Sequence, residues 1–158
     1  MPDKLSNSVT VCYRISACTW EDYMAFLEWK TNMSVGVAAM DAQHQKLIQL
    51  INQLAEAMSA GKGNLVLQSV LTELVTYTKT HFASEEGLLS KNNYPEYGEQ
   101  KTEHDHFTKK IVDFQTQFKE GKIALSIELM NFLREWLLDH IQGRDKRYGV
   151  FLNSKSIS

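Results

Sequence analysis

The stretch "LQSVLTELVTYTKTHFASEEGLL", residues 67–89, decides the fold. Leu67, Val70, Leu71, Leu74, Thr78, His81, Glu85 and Leu88 recur at steps of three and four, the spacing that lines side chains along one stripe of an α-helix. The stripe does not stay apolar. It passes through His81 and, one turn later on the same face, Glu85. An ionised carboxylate buried without a partner is strongly destabilising, so something cationic must meet Glu85.

Three further segments carry the same period. His44, Leu47, Ile51, Leu54 and Met58 form a stripe that "SAGKGN" ends at 59–64. Residues 67–89 are followed by "NNYP" at 92–95, where Pro95 disfavours helix at the residue before it. Gln100, His104, Phe107, Ile111, Phe114 and Phe118 continue to Gly121, and Leu129, Phe132, Leu133, Trp136 and His140 to Gly143, where the fourth helix is expected to end. The connections are short, so consecutive helices run antiparallel. The expected fold is all-α, an up-down-up-down four-helix bundle with an N-terminal arm.

The organisation follows. Residues 1–36 are read as the arm, with a short helix near "TWEDYMAFLEW" that starts at Thr19 and whose aromatics, Trp20, Phe26 and Trp29 among them, lie on the bundle. Residues 37–150 are the bundle and 151–158 a polar tail. The chain has 158 residues, 43% of them hydrophobic, and a net charge of −2, which suits one domain with a real core and gives no basic surface for nucleic acid. No apolar run approaches a membrane span. The opening residues lack the apolar segment of a secretory signal, and Cys12 and Cys18 read as two reduced thiols, so a cytoplasmic protein is expected.

His44, His81, His104 and His140 each fall on the apolar stripe of a different helix. One such histidine is most often a satisfied core residue. Four, one per helix of a bundle and with a carboxylate one turn from one of them, indicate a metal site built from inward side chains. Asp145 follows His140 by five residues. Four imidazoles and two carboxylates are too many ligands for tetrahedral zinc. They suit a carboxylate-bridged pair of first-row metals; with no thiolate, iron is favoured and manganese is the alternative. His106 lies about 200° round the helix from His104 and is read as a solvated neighbour. Leu47, Phe82 and Leu138, beside these ligands, are expected either to form a dry pocket or simply to pack the core.

Four blocks carry a family resemblance: "SVGVAAMDAQHQKLIQLINQL" (34–54), "YTKTHFASEEGLL" (77–89), "YPEYGEQKTEHDHF" (94–107) and "WLLDHIQGRDKRY" (136–148). In order and spacing they resemble the bacterial hemerythrins. The resemblance implies two non-haem Fe ions bridged by Glu85, Asp145 and an oxo or hydroxo group. His44 and His81 resemble the histidines of one iron, and His104 and His140 ligands of the other. Glu86 is expected to point away. The family's remaining histidine would stand four residues before His104, where this chain has Gln100; the glutamine is open to ligating, to holding a water, or to leaving the position without a protein ligand.

What the resemblance implies is binding of O2 or another small diatomic or anionic ligand, for carriage, storage or sensing, and not an enzyme. A signalling domain is a further expected partner if the chain is a fragment. The rival reading is a di-iron oxidase, peroxidase or NO-handling enzyme. Oxygen-activating bundles are carboxylate-rich, with a Glu-x-x-His on each of two helices. Here the sole Glu-x-x-His is Glu103 with His106, off the apolar stripe.

Overall fold

A computed structural model describes residues 26–158. Helix α1 spans Ala38–Ser59, α2 Asn64–Lys91, α3 Tyr97–Lys119 and α4 Ile127–Asp139. Residues 19–25 of the expected short helix, Trp20 among them, lie outside the described residues; its remaining residues, 26–29, are not helical. No strand is found among the described residues, and none of their helices is long and apolar enough to cross a membrane.

Local chemistry sets the helix ends. Ser126 accepts a hydrogen bond from the Leu129 amide at 3.3 Å and starts α4. Asp41, in the first turn of α1, reaches back to the Val35 amide at 2.8 Å and the Ser34 hydroxyl at 2.5 Å, tying the preceding segment to the positive end of the helix. Helices α1, α2 and α3 stop in the same manner, at Gly61, Asn93 and Gly121. Each of these has positive φ, and the next amide bonds back to Ala57, Leu89 or Gln117 at 2.9–3.0 Å.

α1 packs on α2 and α4, and α2 on α3. Ring contacts close the bundle between α3 and α4, with Phe107 stacked on Trp136 at 3.7 Å between centroids. The result is a four-helix bundle, as the periodicity predicts. Phe26 and Trp29 pack on its main core, and the Asn52 amide makes paired 2.8 Å hydrogen bonds with the backbone of Leu27.

The fourth helix does not end at Gly143. After Asp139 the backbone widens into a π turn over His140–Asp145 and then continues as α5, Lys146–Ser154. Leu152, in the segment expected as a polar tail, is buried. Gly143 disrupts nothing because it is exposed inside the π turn. A π turn bonds residue i to i+5, which brings two residues five apart onto one face. His140 and Asp145 therefore both turn inward, and both are buried.

The core has two apolar parts. The larger includes Leu47, Leu54, Leu74, Phe82, Ile111 and Leu133. The smaller gathers Val35, Val37, Met40, Leu89, Tyr94, Tyr148 and Leu152. Buried histidine and carboxylate side chains fall between them: His44 between Met40 and Leu47, and Glu85 between Phe82 and Leu89.

Gly149 fits α5 against the 34–37 segment. A Cβ there would collide with the Val35 carbonyl, a backbone group that cannot turn aside. Gly149→Ala is expected to lower unfolding stability by about 1–3 kcal/mol, the usual range for overpacking, measured by urea denaturation. An unchanged midpoint would show that α5 is free to move.

Candidate metal centre

The polar layer holds His44, His81, Glu85, Gln100, His104, His140 and Asp145, all at most 4% exposed. Among the described residues, two groups of side chains capable of holding a metal ion share one member. They are His44, His81 and Glu85, and Glu85, His104 and His140.

The carboxylates face both ways. Glu85 Oε2 lies 3.6 Å from His81 Nε2 and 3.9 Å from His44 Nε2, while Oε1 lies 3.3 Å from His104 Nε2. Asp145 Oδ2 lies 3.3 Å from His44 Nε2, and Oδ1 lies 3.1 Å from His140 Nε2. Each carboxylate thus offers one oxygen to each histidine pair. His44 Nε2 and Asp145 Oδ2 are close enough to attract but not aligned as a hydrogen bond, and both are buried without a hydrogen-bond partner. Buried polar atoms are nearly always paired. Orphaned imidazole nitrogen and carboxylate oxygen converging on one point are the donors a cation takes, so this donor set fits a pair of metals.

A ring of outer contacts orients the imidazoles. His81 Nδ1 lies 2.8 Å from Gln43 Oε1, and His104 Nδ1 lies 3.0 Å from Glu86 Oε1. Glu86, expected to point away, instead turns its carboxylate onto a histidine of the layer. Glu103 Oε2 faces His140 Nδ1 at 3.5 Å, and its other oxygen accepts from Arg144 Nε at 2.6 Å. Tyr148 donates its hydroxyl to Glu85 Oε2 at 2.9 Å. Such partners fix ring orientation and raise ligand basicity. Tyr148 was legible in principle: it stands three residues after Asp145, on the same helical face, but only if the helix is carried past Gly143. Gln43, Glu86 and Glu103 carry no signal of their own in the stripe pattern.

Apolar and aromatic rings wall the layer. Phe82 stacks face to face on His104 at 3.7 Å, and Trp136 stacks on His140 at 4.3 Å. Leu47 is buried, whereas Leu138 is half-buried at the edge of the same core. His106 is exposed. A cleft of about 320 Å³, lined by Glu103, Trp136, Asp139, His140, Gly143, Arg144 and Arg147, leads in from the surface to the His140 ring.

The electrostatics match a cation-binding layer. Burial lowers the affinity of His44 for a proton, but Asp145 and Glu85 outweigh it and raise its pKa to about 9. Burial dominates at His81 and lowers it to about 4. Burial alone would raise the Glu85 carboxyl, yet His104 and His44 hold it well below its ordinary value. Asp145 is also lowered, by His140 and His44, against burial and the Glu85 charge. Burial and the two carboxylates push the Tyr148 hydroxyl well above its usual range, so it stays a donor.

An all-α bundle with a buried histidine–carboxylate layer that could hold metal ions defines a class of helical metal-binding proteins. The comparisons narrow it. The family model for the hemerythrin HHE cation binding domain matches residues 35–152. A bacteriohemerythrin of Stenotrophomonas maltophilia is 34% identical over 125 residues, 79% of this chain and 80% of that protein. One from Methylococcus capsulatus is 30% identical over 132 residues, covering 83% of this chain and all of that protein. A wild-type hemerythrin crystal structure superposes with a TM-score of 0.74 at 30% identity, covering 79% of this chain and 96% of that one. The chain belongs to the hemerythrin family. The family implies a non-haem di-iron, oxygen-binding domain, and its members bind or sense oxygen rather than act as enzymes, which is how this chain is read.

At pH 7 the His44 imidazole, with its pKa raised to about 9, carries a proton that a metal must displace. Adding a divalent metal to the metal-free protein in weak buffer at pH 7 is expected to release protons, read by a pH indicator. The release diminishes as the starting pH is raised past 9. The sign follows from the shift: protonated His44 stabilises the metal-free fold fully below its unfolded value near 6.5, and that stability is lost as pH rises through 9. No proton release at pH 7 would contradict the assignment of His44 as the protonated group.

Proposed function

We propose that this chain holds two iron ions in its polar layer and uses them to bind O2 or another small ligand as an oxygen or redox sensor. His44 and His81 serve one iron, His104 and His140 the other, and Glu85 and Asp145 bridge the two. The observation that carries this reading is the orientation of the carboxylates, with one oxygen of each toward each histidine pair. When bound, a ferrous pair supplies the electrons and the open coordination position that O2 binding needs.

The chain's own groups do the rest. Phe82 and Trp136 cover the His104 and His140 rings and keep bulk water from them. Tyr148 holds Glu85 in its bridging orientation while remaining protonated. Glu86 and Gln43 hold the Nδ1 sides of His104 and His81, leaving both Nε2 atoms turned inward. The cleft beside His140 gives a small ligand a short way in.

Gln100 favours sensing over carriage. It replaces an imidazole with a weaker, harder oxygen donor or with no ligand at all. That leaves the His104–His140 iron with two protein nitrogens and room for water or an added anion. A carrier must release O2 intact, which an accessible position of this kind opposes; a sensor needs only a change of state.

Two measurements test this. Metal analysis of the anaerobically loaded protein should give two irons per chain, and Glu85→Ala should lose at least one, since it removes a bridge and a negative charge together. The absorption spectrum of the reduced protein should change on admission of air, and Gln100→His should slow the loss of the reduced state. A parent protein that takes up no iron would refute the di-iron reading. Equal oxidation rates in parent and variant would return carriage to first place.

A further inference from the structure

Gln100 is the one member of the buried layer that is not an ordinary metal ligand, and its contacts all lie in one half of the layer. Its side-chain nitrogen lies 2.8 Å from Glu85 Oε1, 2.7 Å from Asp145 Oδ1 and 3.2 Å from His140 Nε2. Two ionised carboxylate oxygens can only accept, so the end of the amide between them is the NH2 group and not the carbonyl. These are the atoms that Glu85 and Asp145 turn toward the His104–His140 side. In the opposite half two atoms are left over: His44 Nε2 and Asp145 Oδ2 have no hydrogen-bond partner. On one side, therefore, the amide binds both carboxylates; on the other, Glu85 Oε2 accepts the Tyr148 hydroxyl and Asp145 Oδ2 is left for whatever cation enters.

We infer that Gln100 is a placeholder for the second metal, so that the two metals load in separate steps. The first ion enters the half formed by His44, His81, Glu85 and Asp145, where it displaces no side-chain hydrogen bond from an oxygen of Asp145. The second enters the His104–His140 half only after the Gln100 amide has left both carboxylates or has turned its carbonyl oxygen to the ion. Breaking two hydrogen bonds to charged acceptors sets the second step apart from the first. At limiting iron the chain is held as a one-metal form, with Gln100 closing the other half. This inference rests on the di-iron reading, which concerns how many metals the layer takes; the inference concerns their order and what sets it.

The test is calorimetric titration of the metal-free full chain with Fe2+ under nitrogen, for the parent, Gln100→His and Gln100→Leu. The parent is expected to show two resolved steps, the second about tenfold weaker or more, given the strength of hydrogen bonds to charged groups. Gln100→Leu removes the amide donors without adding a ligand, and the gap between steps should narrow. Gln100→His adds a nitrogen ligand and should narrow it further. Mn2+ gives an independent readout. At one equivalent the parent should show the resonance of isolated ions, with a magnetically coupled pair appearing only as the second equivalent is added. Circular dichroism checks that each variant folds; if Gln100→Leu does not, Gln100→His carries the comparison. Two ions entering the parent in one unresolved step, or a gap unchanged by the variants, would overturn the placeholder role while leaving the di-iron reading intact. No uptake by parent or Gln100→His would overturn the di-iron reading itself.

Discussion

Two carboxylates buried in the middle of an apolar bundle are the constraint on which the rest depends. Glu85 and Asp145 are both wholly buried. Removing an isolated carboxylate from water is strongly unfavourable, and holding two side by side adds their repulsion. The fold answers with every cationic or donating group the surrounding helices can supply: four imidazoles, the Tyr148 hydroxyl and the Gln100 amide. Even so, Asp145 Oδ2 remains unpaired. A layer of this kind weakens the fold unless it binds something positive, which is why its presence points to function rather than to packing.

Placement of that layer depends on the backbone as much as on the side chains. The π turn lets one helix contribute both His140 and Asp145, and the continuation into α5 brings Tyr148 under Glu85. The apolar residues above and below then isolate the layer, with Phe82 and Trp136 flat against two of its rings. The close approach of Gly149 to the Val35 carbonyl seats α5, and so holds Tyr148 in place. Packing far from the cluster thereby sets the geometry within it.

Much of this was legible in the chain. Helical period alone separates buried His104 from exposed His106, although they stand two residues apart, because side-chain direction in a helix follows from position. It also puts Glu85 inward. The π turn was not legible: a five-residue spacing lies off the stripe of an ordinary helix, and Gly143 reads as a stop. Carrying the pattern beyond Gly143 would have shown Leu152 as core and Tyr148 as a neighbour of the carboxylates. The outer contacts of Gln43, Glu86 and Glu103 depend on how neighbouring helices rotate against each other, which no single-helix pattern encodes. The family blocks marked Gln100 as a departure, but not its position between the two carboxylates.

The most direct measurement is anomalous X-ray diffraction at the iron edge from crystals of the anaerobically loaded protein. The account predicts two peaks about 3.5–4 Å apart, the spacing of bridged metal pairs. One should lie beside His44 and His81 and the other beside His104 and His140, with Glu85 and Asp145 each giving one oxygen to each peak. Iron bound only at the protein surface, or two peaks with either carboxylate turned away from both, would contradict it.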